Sequence, residues 1–116
     1  MSAPPGAPFN TPDPYLYVTT TGRVTGLPRQ IEIWFVAWNG NLYIFAERFH
    51  DAQWVKNISR DPRVRVRLGD RDFGASARVL DPSADDDEWR TVRGLARDKY
   101  GWGDGLPVRI TPDPPR

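Results

Sequence analysis

The sequence predicts a single, mainly β domain: a small antiparallel barrel carrying two helices. Five or six runs rich in β-branched and aromatic residues are separated by turn signals. Only two stretches repeat their apolar residues at helical spacing, too few to cover both faces of an open sheet. A sheet so thinly covered hides its edges best by closing on itself. At 116 residues the chain suffices for one such domain, read as residues 15–112.

Residues 1–14 are rich in proline and are expected to form a flexible arm, with 113–116 a frayed tail. Tyr15–Thr21 is aromatic and β-branched, a strand. Gln30–Trp38 first alternates and then turns apolar on both faces, and Asn39-Gly40 supplies a tight hairpin into Leu42–Ala46. These three runs predict an antiparallel meander. Asp51 is positioned to cap a short helix reaching Arg60, with Trp54, Val55 and Ile58 on one face and Asp61-Pro62 stopping it. Arg63–Leu68 alternates strictly, and Gly69–Asp72 turns the chain into Phe73–Leu80.

Ser83 is the expected cap of a second helix whose first turn holds Asp85, Asp86, Asp87 and Glu88. Its later turns carry Arg90, Arg93, Arg97 and Lys99, an order of charge that suits the helix dipole. Trp89, Val92, Ala96 and Tyr100 mark its apolar face, Gly101 and Gly103 end it, and Val108–Thr111 adds a last strand. The predicted order is β-β-β-α-β-β-α-β.

Composition narrows the chemistry. A net charge of +1 gives no general pull toward nucleic acid, and no apolar run approaches membrane-spanning length. With no cysteine and His50 the sole histidine, thiol nucleophiles and two-histidine zinc sites are excluded. An enzyme so poor in reactive side chains borrows its chemistry from a cofactor. A cytoplasmic protein is the default expectation. Five tryptophans and five phenylalanines exceed what one small barrel buries, which predicts a homodimer.

The connection Gly22-Arg23-Val24-Thr25-Gly26-Leu27, flanked by Thr21, Pro28 and Arg29, gathers hydroxyls, two glycines and two arginines. It reads as an anion cradle or, more plainly, as a turn with solvated charges. As a loop residue, Arg23 is expected to add little to the stability of the free protein. The Asp85–Glu88 cluster reads as helix-start acidity, since consecutive helical residues diverge. Arg63, Arg65 and Arg67 share one strand face, read as solvated in preference to a nucleic-acid footprint. Gly101–Gly105 reads as a turn or flexible lid, and His50 as a proton donor or a capping residue.

The eleven residues Thr19-Thr20-Thr21-Gly22-Arg23-Val24-Thr25-Gly26-Leu27-Pro28-Arg29 resemble the signature of the deazaflavin-dependent nitroreductase family. Phe45-Ala46, Trp54-Val55-Lys56-Asn57-Ile58 and Asp61-Pro62-Arg63-Val64 extend the likeness, which runs from Tyr15 to Pro112. The resemblance implies a split β-barrel of the flavin-reductase and pyridoxamine-phosphate-oxidase-like superfamily. It implies that Thr21, Arg23, Val24, Thr25, Gly26, Pro28 and Arg29 hold the phosphate and glutamyl tail of the deazaflavin coenzyme F-420. Ala46, Glu47, Arg48 and Phe49 would lie against its ring, Trp54 and Asn57 would order that wall, and Tyr100 and Trp102 would face the substrate. Two departures stand out: Val24 replaces a lysine, and Glu47-Arg48-Phe49-His50 replaces a glycine-rich Ser-Lys-Gly-Gly segment.

The expected activity is hydride transfer from reduced deazaflavin to a small quinone, nitro compound or activated alkene. The cofactor would carry the reactive atom, with no catalytic side chain and no metal. An FMN-dependent reductase and a non-catalytic barrel binding a flavin or hydrophobic ligand are the alternatives.

Overall fold

The structure is a computed structural model that describes residues 13–114. Its strands are β1 (Leu16–Thr21), β2 (Pro28–Ile33), β3 (Phe35–Trp38), β4 (Asn41–Ala46), β5 (Arg63–Leu68), β6 (Arg71–Val79) and β7 (Leu106–Pro112). Its helices are α1 (Gln53–Arg60) and α2 (Asp86–Tyr100), with a short 3-10 turn at Phe49–Asp51 before α1. All seven strands pair antiparallel in one curled sheet of order β2-β1-β5-β6-β7-β4-β3.

The expected meander is corrected at Trp34. The run 30–38 is not one strand but two, because Ile33 pairs with Leu16 of β1 while Phe35 pairs with Ile44 of β4. β2 and β3 are therefore the two edges of the sheet, joined through a single residue. That junction forces the sheet to curl into a half-barrel, which brings its edges together. A strand switch orphans backbone polar groups, and α2 supplies their partners. The Phe35 N–H donates to the Tyr100 hydroxyl (3.0 Å), and the Phe35 carbonyl accepts from Tyr100 (2.8 Å) and from Lys99 Nζ (3.0 Å).

Alternation decides the core. Leu16, Val18, Leu42, Ile44, Val64, Val66, Val108 and Ile110 point inward, and Ile58 of α1 joins the same cluster. β4 is buried on both faces, since Tyr43 and Phe45 meet Val92 and Ala96 of α2 on the outer side. There the Tyr43 hydroxyl donates to Glu88, whose carboxylate also accepts from Arg109 (3.0 and 3.1 Å). Burial and the neighbouring Glu88 push the Tyr43 phenol up. The arginine face of β5 is exposed as expected, with Arg65 ion-paired to Asp72 and Arg67 lying 4.6 Å over the Tyr17 ring.

Both helix starts differ from expectation. Asp51 falls in the 3-10 turn, so Ala52 precedes α1 without a side-chain cap. Ser83 is not the cap of α2, which begins after Asp85. The aspartates took over this connection because each accepts backbone N–H bonds. Asp81 receives Ser83 (2.7 Å) and Ala84 (2.9 Å), while Asp85 receives Asp81 (2.8 Å) and the Arg78 guanidinium (2.8 Å). The last strand starts earlier than Val108, because Leu106 and Pro107 already pair with Ala46 and Phe45.

Of the expected N-terminal arm, only Asp13 and Pro14 are described, and their carbonyls accept from Lys99 Nζ (2.9 Å) and the Tyr100 hydroxyl (2.6 Å). Of the expected tail, the Asp113 N–H donates to the Gly74 carbonyl (3.0 Å), and 115–116 lie outside the described residues.

A Cβ at Gly94, inside α2, meets nothing within 4 Å. Gly94→Ala is expected to stabilise the fold by about 0.5–1 kcal/mol in urea denaturation, through the smaller loss of backbone entropy. The Asp81 and Asp85 carboxyls are held below their ordinary range, chiefly by the backbone N–H groups of Ala84 and Asp81 respectively. A depressed folded pKa gives stability that is present above the unfolded value, about pH 4, and lost as pH falls through the folded one. The melting temperature should therefore fall on acidification, with a shallower acid limb in Asp81→Asn/Asp85→Asn.

Candidate active site

The cradle begins with the backbone. Between β1 and β2, the Gly22 N–H donates to the Leu27 carbonyl and the Gly26 N–H to the Gly22 carbonyl, both at 2.8 Å. Gly26 sits at φ +76°, where glycine is free of strain, and a Cβ at Gly22 would press on the Leu27 carbonyl at 3.0 Å. The loop is then fastened to α1. Asn57, which is buried, donates to Thr20 Oγ1 (3.1 Å) and accepts from the Arg23 N–H (3.2 Å) and Arg23 Nη1 (2.9 Å). Arg23 Nη2 donates to Gln53 Oε1 at 2.7 Å.

Arg23 is thus a structural strut, contrary to its expected independence from the fold. A guanidinium has five N–H donors. These bonds leave Nε–H and one Nη2–H of Arg23 for a ligand among the described residues.

Arg23, Val24, Thr25, Arg29, Trp54 and Asn57 line a groove of about 470 Å³. A second, larger cleft of about 790 Å³ is lined by Glu47, Arg48, Trp54, Tyr100 and Trp102, together with Trp34 and Phe45. Gln53 and Trp54 border both, so cradle and cleft adjoin.

Five of the residues singled out in the sequence stand apart from this pair of grooves or are hidden from it. Gly26, Pro28 and Thr21 line a different hollow on the β5 side, beside Arg63 and Arg65. Ala46 is buried. Phe49 lines neither groove and adopts φ +52°, the left-handed conformation that glycine takes freely, where the resembled family carries its glycine pair.

Trp34 was not anticipated as a site residue. Its ring stacks on Tyr100 with centroids 4.4 Å apart and planes 4° from parallel, forming a flat wall of the cleft. The one sequence signal was the place where alternation broke into continuous apolar residues, which marks the strand switch. Gln53, which holds Arg23, gave none. The Tyr100 hydroxyl faces backbone carbonyls and its pKa is raised by burial. Tyr100→Phe is expected to cost about 1–2 kcal/mol, since the Phe35 N–H loses its acceptor; thermal melting checks this.

The Gly101–Gly105 segment is tied to α2 by side chains of that helix. Arg93 donates to the Gly105 (3.1 Å) and Asp104 (2.9 Å) carbonyls, and Arg97 pairs with Asp104 at 3.1 Å. It holds Trp102 at the cleft, where a Gly105 Cβ would collide with the indole at 2.8 Å.

Residues 2–111 match the family described as "F420H(2)-dependent quinone reductase". The chain belongs to that family. This reductase family supplies the oxidoreductase activity that the sequence implied, with deazaflavin as the reductant. No curated protein matches. Among solved structures, the family member is similar to "Structure of F420-H2 Dependent Reductase (FDR-A)" at 26% identity and TM-score 0.64, covering 86% of this chain and 94% of that one. It is also similar to a structure described as a domain-swapped dimer, at 25% identity and TM-score 0.61, over 86% and 80% of the two chains. The fold alone is shared with HutZ, the heme storage protein from Vibrio cholerae, at 17% identity and TM-score 0.71, over 88% and 83%. No helix among the described residues is long and apolar enough to cross a membrane.

Proposed function

We propose that the cradle holds the phosphate-bearing tail of reduced deazaflavin and that the adjoining cleft seats its ring against a small quinone. Nitro compounds and activated alkenes are the other acceptors of this chemistry. The observation that carries the reading is the shared border at Gln53 and Trp54, where a groove lined by two arginines and no carboxylate adjoins an aromatic cleft. Bound there, the deazaflavin supplies a hydride.

The chain's own residues position and enclose. Arg23 and Arg29 offer forked N–H donors to phosphate, and Thr25 adds a hydroxyl. Arg23 is already oriented by Asn57 and Gln53, so binding orders little further. Trp34, Tyr100, Trp102 and Trp54 give planar apolar walls that stack on flat rings and displace water.

Spectral titration with deazaflavin and with FMN, followed by anaerobic turnover of menadione, tests the proposal. Deazaflavin binding with menadione reduction is expected. Preference for FMN would move the protein to the flavin-dependent alternative, and tight binding without turnover would make it a carrier. Binding of neither would remove the proposal. Tyr15, Val24, Leu27, Trp34, Trp38 and Phe49 remain exposed in the monomer, which supports a homodimer. Light scattering at micromolar concentration is expected to give twice the chain mass.

A further inference from the structure

The charge along the two grooves reverses sign at their shared border. The cradle presents Arg23 and Arg29 with no carboxylate in its lining. In the cleft, the carboxylates of Glu32, Glu47 and Asp51 outnumber the single guanidinium of Arg48. None of these three carboxylates is ion-paired among the described residues. Glu32 is held in place by the Tyr17 hydroxyl at 3.0 Å. They come from β2, from the turn after β4 and from the 3-10 segment, so the acidic rim is assembled by the fold from separate stretches of chain.

We infer that this rim selects the oxidising substrate by charge: uncharged or cationic planar quinones enter the cleft, and anionic ones are disfavoured. The inference rests on the cleft being the quinone site. An anionic tail and an anionic acceptor would be drawn to the same cradle, and the acidic rim separates the two roles. The aromatic walls provide affinity for any flat ring and do not themselves discriminate by charge. A sulfonate a few ångströms from several exposed carboxylates is repelled through water. Removing two of them is expected to relieve about a fivefold penalty at low salt.

The test compares binding of 2-(hydroxymethyl)anthraquinone with that of anthraquinone-2-sulfonate, by quenching of the cleft tryptophans and by calorimetry. It uses the purified full chain with and without deazaflavin. Glu32→Gln/Asp51→Asn alters the rim without touching the residues proposed to contact the cofactor. The wild type should favour the neutral quinone at low salt. In the variant, or in concentrated salt, the ratio of the two affinities should shift toward the sulfonate by about fivefold. A ratio that is the same in wild type and variant, with both quinones bound, overturns the charge selection and leaves the quinone site standing. Failure of the neutral quinone to bind overturns the quinone site and the inference with it.

Discussion

Arg23→Ala is expected to weaken deazaflavin binding by about 1.5–3 kcal/mol, the range for hydrogen bonds to a charged group. The same substitution should lower the stability of the cofactor-free protein. The side chain joins the loop between β1 and β2 to α1 through Asn57 and Gln53. Its loss leaves the buried Asn57 carbonyl oxygen with only the Arg23 backbone N–H as donor. Because Arg23 is exposed, the charged-bond range is discounted to about 1 kcal/mol of stability, or roughly 4–8 °C in melting temperature.

Lysine should restore part of the affinity, since its ammonium keeps the charge without the fork. Calorimetric titration and thermal melting read the two effects separately. Unaltered affinity in Arg23→Ala would exclude the cradle as the phosphate site. An unaltered melting temperature would exclude the strut.

Gly103→Ala is expected to destabilise the fold by about 2–4 kcal/mol. A Cβ there would lie 2.3 Å from the Arg93 carbonyl oxygen and 2.8 Å from Arg97 Cγ. Arg97 can swing away, but the Arg93 carbonyl belongs to α2 and moves only with the helix. The turn would lift, and the Arg93 bonds to the Gly105 and Asp104 carbonyls would lengthen with it. Trp102 would then shift from the cleft wall. Urea denaturation should show the loss beside the gain in Gly94→Ala. A Gly103→Ala protein as stable as wild type would mean that the turn does not pack on α2 as described.

Most elements were legible because their causes are local. The strict alternation of Arg63–Leu68 makes a half-buried strand in any fold, and β5 buries Val64, Val66 and Leu68. Asn39-Gly40 turns the chain with its own dihedrals, both residues at positive φ. Gly101 ends α2 in the left-handed conformation at φ 74° for the same reason. The residue types of the loop between β1 and β2 were legible too, and Tyr100 and Trp102, singled out in the sequence, line the cleft. Helix starts were less so, because Ser83 and Asp85 compete for one role and the outcome depends on which backbone N–H groups lie near.

The sequence by itself determined the mainly β class, the two helices, the absence of thiol chemistry and the residue types of the loop between β1 and β2. These follow from periodicity, turn chemistry and composition, which act over a few residues. Only the tertiary structure decided that the long apolar run breaks at Trp34 and feeds both edges of one sheet. It alone brought Trp34 onto Tyr100, and turned Arg23 from a loop charge into a strut on Asn57. It also gathered three carboxylates around one cleft from three separate elements. Each of these depends on which strands pair and where a helix packs. Pairing is set by the sum of contacts over the whole barrel and not by any one segment, so no local pattern carries it.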